Sequence, residues 1–474
     1  MTSTTTGTTS AALDALELAL SGELVRPGHA EFEEARRVWN GMIDLRPAAI
    51  ARCASTADVT ETVLVAARTG LPLAVRGGGH NVAGFGTVDG GIVVDLSPLN
   101  GVVVDPATRR ARVGGGATLR DLDAATQAHG LVVPAGVVSE TGVAGLTLSG
   151  GLGWLRRKWG LTCDNLVGAE LVTAAGEILR VDAETDPELL WGLRGGGGNF
   201  GVVTELEFEA HPLGPEVFFA FTLFPLEHAR GVLADHERIV LAAGDDVSTI
   251  AVLGHVPPLD DFPAEIHEAP FVAVLGVYAG PAGEGELALQ PLRELAEPLA
   301  DLSGRMPFVD VQQVYDPDYP AGHRYYWKSA NLPALPAVAV DVLVEQVRRA
   351  PSKHSTIDVW LNGGAIAGVA EGATAFSGRG GRYVVNPEAN WEDPADDAAN
   401  VAWARHVLAA LEEHASGGAY LNFPGFLEEG QALVRASHGA NYERLARLKA
   451  RLDPGNLFRR NANVEPAGAA RPGS

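Results

Sequence analysis

The chain has 474 residues, 46% of them hydrophobic and 20% charged, a composition that supports two or three domains with large cores. Its formal charge of −23 repels nucleic acid and anionic membranes at long range, which sets both aside as partners and leaves solubility as the reason for the acidity. Two cysteines, Cys53 and Cys163, cannot build a disulfide framework, and such sparse use fits a cytoplasmic location.

The N-terminal MTSTTTGTTSAALDALELAL lacks the basic start of a secretory signal, and no apolar run is long enough to span a bilayer. The first ten residues and the tail after Pro466 are small, polar or Gly/Pro/Ala-rich and read as disordered. Ser55 followed by Asp58 is a capping-box start for a helix to about Arg68, stopped by Gly70. Strands are expected over 71–75, 91–96, 101–105 and 109–113. Thr118 and Asp121 open a second helix that ends near Gly130. Residues 165–173 and 177–181 read as a hairpin, Asp186 with Pro187 starts a short helix, and a strand over 201–209 closes the region.

Composition shifts at 211–215. Strands are expected over 217–224, 249–255, 271–278, 308–314 and 356–365, and helices over 226–243, 284–299, 334–349 and 395–413. That alternation predicts an antiparallel sheet with helices on one face. A last helix over 441–452 carries Leu445, Leu448 and Leu452 on one stripe and a Glu443/Arg447 pair. No internal repeat is present.

Two glycine clusters invite a ligand. Gly196, Gly198 and Gly201 satisfy G-x-G-x-x-G, but they follow a helix and precede a strand, the reverse of a dinucleotide fingerprint, so a Rossmann nicotinamide site is rejected. The hexapeptide RGGGHN, Arg76 to Asn81, lies between two expected strands. Its bare amides suit a phosphate or pyrophosphate, and a glycine-rich turn is the bland alternative. A phosphate cradle needs no imidazole, so His80 requires a second reason.

Taken in order, RGGGHN, PAGVVSETGVAGLTLSGGLGWLRRKWGLTCDNLVGAEL, ELLWGLRGGGGNFGVVTELEF, AYLNFP and NYERLARLKARLDPGNLFRRNANVEP resemble the berberine bridge enzyme-like flavoproteins of the vanillyl-alcohol oxidase/p-cresol methylhydroxylase superfamily. The resemblance covers most of 50–209 and the last sixty or so residues, and is weaker between. It implies an α+β fold: an FAD-binding domain in two parts, 1–211 and 417–466, a substrate domain over 212–416 whose antiparallel sheet is covered by helices, and a disordered tail over 467–474. It also implies FAD held covalently twice, through His80 to the 8α-methyl and through Cys163 to C6 of the ring. Arg76, Gly77, Gly78, Gly79 and Asn81, with Thr141, Gly142 and Gly145, would hold the pyrophosphate, a helix starting near Gly142 aiming its positive end there. Gly150, Gly151 and Gly153 would let the backbone pass the cofactor, and Val202 and Val203 would approach its rings.

By the same match Tyr420 is the catalytic base and Asn422 stands near the ring, with Arg379 and Arg382 as candidate cations to ease the ionisation of a phenol whose ordinary pKa is near 10. Phe423 and Gly378 replace a tyrosine and a histidine found in many relatives. Leu166 falls where relatives tune oxygen access, and a leucine there would hinder dioxygen. The implied reaction is hydride removal from an alcohol, sugar, amine or natural-product carbon of a small, bulky-tolerant substrate class, with electrons passed to dioxygen. A dehydrogenase using another acceptor, a noncovalent flavin reductase and a flavin-storage module are the alternatives. No G-x-S-x-G elbow or H-E-x-x-H spacing points to a hydrolase or a metal. Substrate identity and oligomeric state are not legible.

Overall fold

A computed structural model describes residues 2–258 and 262–468. The first sheet orders its strands Glu23–Val25, Ala49–Arg52, Ile92–Asp95 and Leu73–Arg76, the last three parallel. The crossover helix Thr56–Thr69 begins where Ser55 accepts the Asp58 N–H and ends at Gly70, whose φ of 70° favours a residue without Cβ. Asp58 does not reciprocate to Ser55. Its carboxylate accepts the N–H groups of Ser21, Gly22 and Ala54, tying the N-terminal turn to the helix. Leu73–Arg76 delivers the RGGGHN turn at its carboxyl end, the edge where parallel sheets bind ligands.

The second sheet is antiparallel, ordered Val102–Asp105, Arg110–Gly114, Val202–Glu209, Leu166–Val172 and Ile178–Asp182. Thr118 and Asp121 form the complete capping box expected, and Asp186 caps the helix Pro187–Leu193. The chain's last helix, Tyr442–Leu452, returns to this layer. Leu445 and Leu448 join Trp191 and Phe200 in one apolar cluster, and fully buried Lys449 pairs with Asp453 while donating to the carbonyls of Asn199 and Phe458. Glu443 pairs with Arg435 rather than with Arg447.

The third sheet draws nine strands from residues 216–391, all antiparallel. Its period of two separates two faces. Leu253, Val272, Val359 and Val385 pack under the helices Ala229–Ala242, Ala282–Arg293, Ala337–Arg348 and Asp397–Leu411. Phe219, Ile250, Trp360 and Val384 face the first half of the chain, meeting Val138, Leu152 and Trp154. Helices on one face only is the arrangement expected.

Four expectations fail. The strand over 308–314 is a helical turn, Phe308–Val311; its buried residues Phe308, Val311, Gln312 and Tyr315 follow the helical period of three to four. Strand Thr356–Leu361 stops four residues early. Tyr383–Trp391 was not expected as a strand, since Pro387 interrupts it; the ladder tolerates that missing donor, and Pro387 stands opposite Ile357. Residues 2–19, partly assigned to disorder, form a helix, and the tail from 469 lies outside the described residues.

Candidate active site

One large cleft opens at the carboxyl end of Leu73–Arg76, between the glycine-rich turns of the first half and the inner face of the nine-stranded sheet. It encloses about 1820 Å³ of non-atom space, counting its open mouth.

Gly77, Gly78, Gly79, Asn81, Thr141, Gly142 and Gly145 all line it, as expected. The two turns press backbone to backbone: a Cβ on Gly78 would stand 2.5 Å from the Gly142 nitrogen, and one on Gly142 2.4 Å from the Gly78 nitrogen. Gly145, one turn into the helix Val143–Leu148, faces open space with nothing within 4 Å of its Cβ position. Asn81 is a turn-former; its Oδ1 accepts the N–H groups of Ala83 and Phe85. Val203 lines the cleft and Val202 does not.

Arg76 departs from its expected role. Although it touches the cleft, its guanidinium is neutralised by buried Asp95 at 2.7 Å and donates to the Ala35 and Arg37 carbonyls. The positive charge at this end comes instead from Arg460, which the sequence reading did not single out. Its guanidinium lies over the Phe85 ring and donates to the carbonyls of Thr87 and Gly84, and among the described residues it meets no carboxylate. Gly150, Gly151 and Gly153 do not reach the cleft wall either. They permit packing: a Cβ on Gly153 would collide with the Ala135 carbonyl, one on Gly151 with Thr162, and one on Gly150 with Phe376.

His80 stands on the wall with Trp39 stacked on it, ring centroids 3.9 Å apart. Tyr325 covers the other face of Trp39 at 3.7 Å. The His80 Nε2 is shielded from solvent and has no hydrogen-bond partner among the described residues. Burial pushes the imidazole down to about 3, so it is neutral.

Tyr420 also lines the cleft. Its hydroxyl oxygen accepts from the N–H groups of Gly151 and Leu152, each at 3.0 Å, and from Asn422 Nδ2 at 2.8 Å. The same Nδ2 lies 3.2 Å from the Leu146 carbonyl, which fixes the amide with its nitrogen toward Tyr420. A hydroxyl has two acceptor lone pairs; three converging donors match a phenolate. Burial nevertheless prevails and pushes the phenol up to about 12, against the pull of those donors. No cation assists. Arg379 is buried on Asp164 and Thr374, and Arg382 pairs with Glu237 at the surface.

Cys163 lies elsewhere than His80. It is fully buried in the cluster that holds Leu152, Leu155 and Leu161, and it is not on the cleft wall. Its sulfur contacts Asp164 Oδ1 at 3.8 Å, and burial pushes the thiol well up, away from a reactive thiolate. Leu166 is likewise buried off the wall, in the cluster with Leu190 and Trp191.

The wall opposite the glycine cradle was missed. It carries Asp358 and Trp360 from Thr356–Leu361, Glu388 from Tyr383–Trp391, and Tyr315, Tyr319 and Trp327. Glu388 accepts the Tyr319 hydroxyl at 2.6 Å, and Asp358 accepts the Thr356 hydroxyl at 3.1 Å. Burial raises both carboxyls, the charge of Asp358 adds to the rise at Glu388 and that of Asp318 to both; Asp358 lies at about 7 and Glu388 well above the usual range. A signal existed: Asp358 breaks the apolar run TIDVWL on its inward face.

A glycine cradle with an uncompensated arginine, facing an aromatic and acidic chamber, defines a nucleotide-cofactor oxidoreductase with a separate substrate end. The comparisons agree. Residues 47–182 match the FAD binding domain model and residues 419–465 the model described as berberine and berberine like. The chain is 30% identical over 467 residues to the FAD-linked oxidoreductase hasG of Aspergillus fumigatus, covering 93% of this chain and 96% of that one. It is 28% identical over 472 residues to xylooligosaccharide oxidase of Thermothelomyces thermophilus, covering 92% and 91%. The crystal structure of 6-hydroxy-D-nicotine oxidase from Arthrobacter nicotinovorans superimposes with a TM-score of 0.82 at 28% identity, covering 94% of this chain and 98% of that one. The chain belongs to the berberine bridge enzyme-like family of FAD-linked oxidoreductases.

Proposed function

We propose that the enzyme is an oxidase that holds FAD through a single covalent bond to His80 and removes hydride from an alcohol or amine carbon, passing electrons to dioxygen. The observation that carries the reading is the His80 Nε2, a shielded nitrogen without a partner among the described residues, on a side chain that lines the same cleft as Gly78 and Gly142. The residues fit the cofactor: the cradle amides and Arg460 suit a pyrophosphate, and Gly145 leaves room where a side chain would obstruct. Bound there, FAD supplies the hydride acceptor. Cys163 is left out of this reading because its thiol lies buried behind the wall, where burial disfavours the thiolate.

The chain's own task is to bind, orient and deprotonate. Tyr420 receives the proton of the substrate hydroxyl or ammonium. Its oxygen is held by three donors that each bind a phenolate more strongly than a phenol. The inner face of the nine-stranded sheet encloses the other end of the cleft and excludes water with Trp327, Trp360 and Phe423. Leu166 is off the wall, so the reason to expect a hindered dioxygen path falls away.

The test is direct. The purified protein should be yellow, bleach when given substrate without air and recover with stoichiometric peroxide on aeration. Bleaching that recovers only with an added dye would replace the oxidase reading by a dehydrogenase. A colourless protein would remove the flavin reading altogether.

A further inference from the structure

Asp358 and Glu388 sit on adjacent antiparallel strands, one pair out of register, on the inward face: Glu388 stands opposite Thr356, and Asp358 opposite Asn386. They are 2% and 3% exposed. Among the described residues neither forms an ion pair; their bonds are to the hydroxyls of Tyr319 and Thr356. The buried guanidinium nearby, Arg156, lies over Trp360 at 5.1 Å but is bonded to the carbonyls of Gly153, Thr249 and Leu361 and to Asn362. Asp318, on the neighbouring turn, adds further negative field. Buried carboxyls without a cation hold protons, and a cation bound beside them draws those protons off.

Two further atoms point to that ligand. The Tyr315 hydroxyl and the Trp360 Nε1 are buried without partners, and both side chains line the cleft. Tyr315 is 7% exposed and Trp360 2%. The hydroxyl can accept from an N–H group, and the indole N–H requires an acceptor on the same molecule. Trp327, opposite Glu388 on the next strand, adds an aromatic face of the kind that attracts organic cations.

We propose that this chamber recognises a small organic ammonium compound that also carries a hydrogen-bond acceptor, with Asp358 and Glu388 as its counter-ions. The proposal rests on the reading of the cleft as an oxidation site, since the ammonium compound would be the substrate. A neutral sugar would satisfy the aromatic faces and leave the carboxyl pair without a cation.

The test compares 4-methoxy-N-methylbenzylamine, a cation at neutral pH with an ether oxygen as acceptor, with 4-methoxybenzyl methyl ether, its neutral isostere, and with xylobiose. Binding is followed by calorimetry and tryptophan fluorescence on the protein as purified, so the result is read whether or not flavin is present. The amine should bind at least about tenfold more tightly than the ether or xylobiose. Asp358→Asn and Glu388→Gln should lower that ratio severalfold each and abolish it together, while retained affinity for the ether shows the cleft intact. An amine that binds no better than the ether, one that does not bind at all, tighter binding of xylobiose, or a ratio unchanged in the double variant would each overturn the proposal. A colourless protein that still prefers the amine would reject the flavin reading and leave the cation site standing.

Discussion

Trp39 lies flat on His80, with planes 20° from parallel, and its indole N–H donates to the Tyr319 carbonyl at 2.8 Å. A residue from the N-terminal segment thus covers the imidazole and is itself held by the turn at Tyr319 and by the ring of Tyr325 from the nine-stranded sheet. Next to it Asn40 donates to the carbonyls of Val82 and Tyr325. Replacing Trp39 with alanine should cost about 3–5 kcal/mol in stability, as for other buried tryptophans. It should also lower the fraction of chains carrying bound flavin after acid denaturation. Trp39→Phe, which keeps a stacking ring, should preserve attachment; flavin fluorescence in denaturing gels and thermal melts read both.

Tyr420→Phe should slow anaerobic flavin reduction by about 10²–10⁴-fold with colour retained. Asn422→Ala removes one of three donors to the same oxygen and should slow it by about tenfold, the kinetic equivalent of one hydrogen bond. Because the phenol lies at about 12, its ionised fraction rises with pH throughout the neutral and alkaline range. The reduction rate should therefore climb with pH in the native enzyme, and that climb should vanish in Tyr420→Phe. Stopped-flow reduction across pH distinguishes the two.

Two acid–arginine pairs separate buried from exposed electrostatics. Arg379 and Asp164 are 2% and 9% exposed at their side chains, and Asp164→Asn should cost about 3–5 kcal/mol by leaving a buried guanidinium unpaired. Arg230 and Asp341 lie at the surface, and Asp341→Asn should leave the urea midpoint nearly unchanged. Urea titrations of the two variants measure the contrast.

His236, buried on Thr249 at 2.7 Å, sets an acid limit. Burial, with the charges of Arg156 and Arg157, lowers it from 6.5 to about 3. The unfolded chain binds a proton near 6.5 while the folded chain refuses it until about 3. This contribution is therefore complete above 6.5 and is lost as pH falls through that window, by up to about 1.4 kcal/mol per pH unit. His236→Gln should flatten the decline, as denaturation midpoints between pH 6.5 and 4 would show.

Much of this was legible in the sequence because the signals are local. Ser55, Thr118 and Asp186 announce their helices by capping chemistry, and the strand on either side of RGGGHN is a short apolar run. The cradle glycines, His80 and Tyr420 were found because their motifs are contiguous. What failed depended on side-chain direction or distant partners. Cys163 is in a quotable motif, but the turn Thr162–Asn165 sends its thiol into the core. Arg76 could not be known as neutralised without Asp95, nineteen residues on, pairing in parallel across the sheet. Glu388 escaped because Pro387 hid its strand, so its meeting with Asp358 had no sequence trace.

Peptide mass spectrometry tests the account most directly. Trypsin releases residues 77–109, with His80, and residues 159–180, with Cys163, as separate peptides. The flavin mass should travel with 77–109 alone, persist in Cys163→Ala and disappear in His80→Ala. Flavin found on 159–180, or released free from the native chain, would contradict attachment through His80 alone.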